Sequence, residues 1–118
     1  MDARREKYDL EERTFLFAQR VRNFIRQLPR TACNENDVRQ LARATGSVGA
    51  NYIEANEALS KKDFRHRLRI ARKECKESRY WLRLVYTGGE KLDDERETLI
   101  RECQELRSIL SAILRKSE

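Results

Sequence analysis

Ser60–Tyr86 reads SKKDFRHRLRIARKECKESRYWLRLVY and sets two stripes on one helix. Phe64, Leu68, Ala71, Cys75, Ser78, Leu82 and Val85 recur in alternating steps of four and three, the apolar seam of a helix packed in a bundle. Lys62, Arg65, Arg69, Arg72, Lys76, Arg79 and Arg83 repeat the same spacing, and from Arg65 to Arg83 each lies one residue past a seam position and so about 100° further around the helix. At about 1.5 Å of rise per residue, this second stripe is cationic over roughly 30 Å. The first stripe decides the fold class, and the second is the strongest pointer to function.

The flanks of this stretch mark its ends. Ser60 and Asp63 stand at capping-box spacing, and Leu59 and Phe64 occupy the two positions of a hydrophobic staple. Gly88-Gly89 follows, as glycines do after a helix C-terminus. Upstream, Val38, Leu41, Thr45, Val48, Tyr52, Ala55 and Leu59 make a second seam, with Asn34 or Asn36 able to cap it. Gly46 and Gly49 lie within that helix, and with Ala42 and Ala50 they form a small-residue surface where a neighbouring helix is expected to pass close. Before it, Leu10, Thr14, Phe17, Val21, Phe24 and Leu28 make another seam, beside Ala18 and Ile25. Asp9 and Glu12 are its capping-box pair, residues 1–8 read as a loose lead-in, and Leu28-Pro29 ends it. Downstream, Leu99, Cys103, Leu106, Leu110 and Ile113 follow a cap at Asp93 or Asp94, with Ile100 and Leu114 alongside. The expectation is an all-α, up-down-up-down four-helix bundle over residues 1–118 as one domain, with helices at about 9–28, 36–58, 60–86 and 94–115.

Composition agrees. The chain is 39% charged and 39% hydrophobic, and one proline with four glycines leaves little turn chemistry for a many-stranded β fold. No apolar run has the length of a membrane span or the form of a signal peptide, so a cytoplasmic protein is expected. Cys33, Cys75 and Cys103 are odd in number and lack metal-ligand spacing; the last two fall on seams, where a thiol acts as a small hydrophobe.

The charge is unevenly placed. Residues 60–86 hold ten Lys or Arg against three acids, an excess of seven where the whole chain carries +6. A rigid cationic row can follow a phosphate backbone, and arginine can hold phosphate bidentately. The competing reading pairs the row with acids of another helix or subunit, and Glu95, Glu102 and Glu105 of helix four have suitable spacing. Asn51 with Glu54, and Glu74 with Glu77, are i,i+3 pairs expected to form a buried polar network, with Arg43, Arg67 or Tyr52 as partners. A carboxylate di-metal site would instead need Glu-x-x-His pairs, and the one histidine, His66, is three positions from no glutamate. No phosphate loop, nucleophile elbow or metal cluster is present in the sequence, so neither enzyme activity nor a cofactor is expected. Phe15, Leu16, Ile70, Trp81 and Leu84 lie off the inner seams and suggest a homo-oligomer.

The segment SVGANYIEANEA at 47–58, followed by Lys62-Asp63-Phe64 and by Ile70-Ala71-Arg72-Lys73-Glu74, resembles the bacterial four-helix-bundle family labelled S23 ribosomal protein. That family includes proteins encoded in intervening sequences of large-subunit ribosomal RNA genes and accessory variability proteins of diversity-generating retroelements. The resemblance spans roughly residues 8–114. It implies a cytoplasmic bundle assembled as a homopentameric ring, makes Asn51 and Glu54 signature positions, and brings RNA or DNA and a reverse transcriptase or other protein into view as partners. Asn56 stands where the family usually has glycine, and Cys75 and Ser78 depart from its Ser-x-x-Glu. Two functions fit these residues. One is a non-enzymatic accessory protein binding nucleic acid through the helix-three stripe; the other is an interaction scaffold whose stripe meets acidic partner or neighbouring-subunit surfaces.

Overall fold

A computed structural model describes the backbone of residues 3–118 and the side chains of residues 10–118. Its elements are α1 (Ala3–Gln27), α2 (Ala32–Asn56), α3 (Lys61–Leu84) and α4 (Glu90–Lys116). α1 packs on α2 and α4, α3 packs on the same two, and among the described residues the diagonal pairs have no close backbone approach. Short links between consecutive neighbours make this an up-down-up-down bundle, about 44 Å long. Among the described residues there is no strand, and no helix is long and apolar enough to cross a membrane.

The seams form the core. Leu10, Thr14, Phe17, Val21, Phe24 and Leu28 of the first are all buried, as are Leu68, Ala71, Cys75, Ser78, Leu82 and Val85 of the third. Phe64 of the third seam is partly buried against them. The second seam is buried from Leu41 to Ala55, with Val38 packed at its edge. Leu59 is the exception. It is fully exposed at 101%, because α2 stops at Asn56 and the chain turns outward before α3 begins. The expected Leu59–Phe64 staple is therefore not made, although Ser60 does cap α3 by accepting from the Asp63 amide at 3.1 Å.

Other ends also differ from expectation. α1 starts at Ala3, so residues 3–8 continue the helix and Asp9 lies inside it; the side chain of Asp9 falls outside the described residues. α2 starts at Ala32 because Thr31, in an extended conformation, accepts a hydrogen bond from the Asn34 amide at 3.0 Å. Neither Asn34 nor Asn36 is the cap. α3 ends at Leu84, two residues short of Tyr86, because Val85 is extended at φ −61°, ψ 142°. Gly88 then takes φ 81°, a left-handed conformation that suits glycine, and a Cβ there would lie 3.0 Å from Pro29. α4 starts at Glu90 without a side-chain cap, placing Asp93 in its first turn, where it accepts from the Thr87 hydroxyl and from Arg96.

Asn34 has a larger role than a cap. Only 2% exposed, it donates from Nδ2 to the carbonyls of Pro29 at 2.9 Å and Tyr86 at 2.8 Å. Its Oδ1 accepts from the Tyr86 amide at 2.9 Å. One side chain thus ties the α1–α2 link to the α3–α4 link at the same end of the bundle.

The small-residue surface of α2 meets α1 closely at Gly49, whereas Ala50 stays exposed, and α2 runs unbroken through both glycines. A Cβ on Gly49 would lie 2.9 Å from Oγ1 and 3.3 Å from Cβ of Thr14, a buried and rotationally stiff neighbour. A Cβ on Gly46 would meet only the tip of Arg22, at 3.3 Å. The two positions should respond oppositely in denaturant unfolding. Gly46→Ala is expected to stabilise by up to about 1 kcal/mol through helix propensity. Gly49→Ala is expected to destabilise by about 1 kcal/mol net, overpacking of about 1–3 kcal/mol outweighing the same propensity gain.

Candidate nucleic-acid interface

The cationic stripe exists as a face of α3, but its members are not equivalent. Lys62, Arg69, Lys76, Arg79 and Arg83 are exposed and Arg72 is half-buried. None of these six makes a hydrogen bond or ion pair with the described residues. Arg65 differs. Its Nη1 donates to the Leu114 carbonyl at 2.7 Å and to Ser117 Oγ at 2.6 Å, closing the C-terminal end of α4. A guanidinium is well placed there, against the last carbonyls and the negative end of the helix dipole.

The acids of α4 do not neutralise the stripe from within the chain. Arg13 of α1 holds Glu102 bidentately, Nε to Oε2 at 2.9 Å and Nη2 to Oε1 at 2.7 Å, and reaches Glu105 at 2.9 Å. The hydrogen bond to Glu102 drives the Arg13 pKa further upward. Arg20, seven residues on along α1, lies 3.7 Å from Glu95. All three acids that could have paired with α3 therefore face the other neighbour of α4. Two of the three acids of α3 are equally displaced, since Glu74 and Glu77 turn to Arg43 of α2 at 3.3 and 2.8 Å, while the third, Asp63, lies exposed in the first turn. What remains on the outer face of α3 is a row of positive charge that pairs with no acid among the described residues.

The four residues expected to form one polar network separate. Glu74 and Glu77 share Arg43, as the sequence allowed. Asn51 donates to the Ser47 carbonyl at 2.9 Å and accepts a long contact from Arg67 at 3.5 Å. Glu54 is exposed and joins neither pair, because its position three residues past Asn51 faces solvent once α1 and α3 have taken the other sides of α2. Among the described residues no three His, Cys, Asp or Glu side chains gather as a metal site.

Glu74 is the strained member. It is 5% exposed, and its buried Oε2 receives no hydrogen bond, although Arg43 sits within ion-pair distance. Burial first, and the neighbouring Glu77 second, raise its pKa above the ordinary 4.5, against the pull of Arg43 and Lys73. A carboxyl raised on folding binds its proton more tightly in the native state, so stability falls as pH rises from about 4.5 through the raised value. Glu74→Gln should remove this loss. Thermal melts of the variant are expected to be flatter between pH 4.5 and 7 and higher at pH 7 than wild type, with Arg43 retained by Glu77.

The aromatic and apolar residues off the seams also divide. Trp81 packs against the core and Ile70 is half-buried, while Phe15, Leu16 and Leu84 stay exposed, joined by Ile53 of α2. Tyr80 sits edge-on to Trp81 with ring centres 5.1 Å apart, itself largely exposed beside the upper part of the stripe. His66 is exposed, Cys33 is an exposed free thiol, and Cys75 and Cys103 are buried.

A protein of unknown function from the S23 ribosomal protein family of Bacteroides thetaiotaomicron VPI-5482, known from its crystal structure, has the same arrangement of helices. It is 29% identical to this chain, with a TM-score of 0.76 over 92% of this chain and 97% of that one. No curated protein matches the chain. The family model described as 23S rRNA-intervening sequence protein matches residues 6–112, nearly the whole bundle. The chain belongs to the 23S rRNA-intervening sequence protein family.

Proposed function

We propose that this protein is a non-enzymatic, homo-oligomeric accessory protein that binds nucleic acid through α3. The observation that carries the reading is the row Lys62, Arg69, Arg72, Lys76, Arg79 and Arg83, left unpaired while Arg13 and Arg20 take the acids of α4. Unpaired cations fixed at helical spacing suit a regular polyanion, because each phosphate neutralised releases condensed counterions. Nothing in the row discriminates bases, so recognition is of the backbone and tolerates sequence. Exposed Phe15, Leu16 and Leu84 support self-association, and an assembly would repeat the row and multiply its field.

Fluorescence anisotropy with labelled single strands and duplexes of RNA and DNA tests this. Unrelated sequences should bind at low salt with affinities within about tenfold of one another, as expected for contacts dominated by phosphate. Absence of binding at low salt would sink the reading and leave the row as a docking surface for an acidic protein.

A further inference from the structure

Midway along the seam between α3 and α4 lies a small cleft of about 70 Å³. Lys76 and Arg79 of α3 and Gln104 and Arg107 of α4 form its walls, and Cys75 and Cys103 line it as well. Lys76 and Arg79 belong to the stripe. Arg107 does not, since it comes from the other helix, yet the packing brings it to the same cleft. Lys76, Arg79 and Arg107 are all exposed, and none pairs with an acid among the described residues. The α4 acids nearest to Arg107 in sequence, Glu102 and Glu105, are held by Arg13 on the side facing α1.

We infer that this cleft is a phosphate seat, in which Arg79 and Arg107 grip one backbone phosphodiester from opposite helices, with Lys76 at its edge taking the next phosphate of the strand and Gln104 as a flanking donor. The inference rests on the reading of α3 as a nucleic-acid face and extends it, because it carries the strand across the α3–α4 seam. The volume is about twice the share of one liquid water molecule, enough for phosphate oxygens and too small for a base. Guanidinium groups offer paired donors matched to phosphate oxygens, and the lysine adds a point charge. The Cys75 thiol adds no negative charge. Cys103 Sγ donates to the Cys75 carbonyl at 2.8 Å. Hydrogen bonding with Cys103, followed by burial, pushes the Cys75 thiol up, so it remains protonated.

The test compares Arg79→Ala, Arg107→Ala, their double variant and Arg101→Ala in the full chain, each titrated with a labelled duplex of unrelated sequence. Arg101 is an exposed arginine of the same helix whose side chain bonds only to Thr98, so its removal controls for net charge. Arg79→Ala and Arg107→Ala should each weaken binding by about 5–10-fold, and Arg101→Ala by less than about twofold. The double variant should fall well short of the product of the singles, because two groups holding one phosphate are coupled. Arg107→Ala behaving like Arg101→Ala, or a double variant that is fully multiplicative, would overturn the seat and leave the strand on α3 alone. Failure of the wild type to bind would overturn the seat together with the reading beneath it.

Discussion

Alanine at Lys76, Arg79 and Arg83 together is expected to weaken nucleic-acid binding by roughly 10²–10³-fold at about 0.1 M salt. The magnitude follows from counterion release, which contributes about 0.9 log units per duplex phosphate contact for each tenfold change in salt. Three lost contacts therefore remove between two and three log units at that concentration. The fold should survive. All three side chains are exposed and bond to none of the described residues, and alanine is the strongest helix former. Arg83 lies in the last turn of α3, where its loss forfeits about 0.3–1 kcal/mol of interaction with the helix dipole. Circular dichroism of the variant should match wild type to within a few degrees in Tm. Arg65 is left out of this variant because it closes the end of α4, and its removal would mix a stability effect with a binding one.

The largest single-residue loss of stability outside the apolar core is expected at Asn34. Asn34→Ala removes three hydrogen bonds and strands the Tyr86 amide and the carbonyls of Tyr86 and Pro29 against an apolar methyl. At about 1 kcal/mol per bond the cost is roughly 3 kcal/mol, or about 10 °C in Tm for a bundle of this size. Asn36→Ala is the matched control. Asn36 is exposed and bonds only to the neighbouring Asp37, so its change should stay within about 0.5 kcal/mol. Equal effects at the two asparagines in urea unfolding would show that the links are not tied through Asn34.

The contrast between Asn34 and the seams shows what can be read along a chain. Phe17, Val21, Leu68, Leu82 and Leu106 announce themselves because burial recurs at the helical period, and four such series joined by short links leave few arrangements other than a bundle. Ser60 is equally legible, because its partner, the Asp63 amide, is local. Asn34 is not, because its partner Tyr86 lies 52 positions away and no spacing rule connects two links. Leu59 misleads for a related reason. Its spacing continues the seam of α2, but the helix ends at Asn56 and the period has no meaning beyond that point.

The candidate site divides in the same way. The stripe of α3 is visible as a series, since its charges share one helix. Whether it is neutralised depends on which neighbour the acids of α4 choose. Glu95, Glu102 and Glu105 could face α1 or α3 by spacing alone, and Arg13 and Arg20, seven residues apart on α1, settle that choice. Arg107 shows the converse, a cation with no place in the stripe that packing delivers to its edge.

A phosphate-binding row on the outer face of α3 would show first in the slope of log affinity against log salt. For a duplex of arbitrary sequence the wild type should show a steep negative slope, about −0.9 for each phosphate engaged, and the Lys76/Arg79/Arg83 alanine variant should be shallower by about 2.7. Parallel slopes for the two proteins, or affinity indifferent to salt, would take the row of α3 off the phosphates and return it to the service of a protein partner.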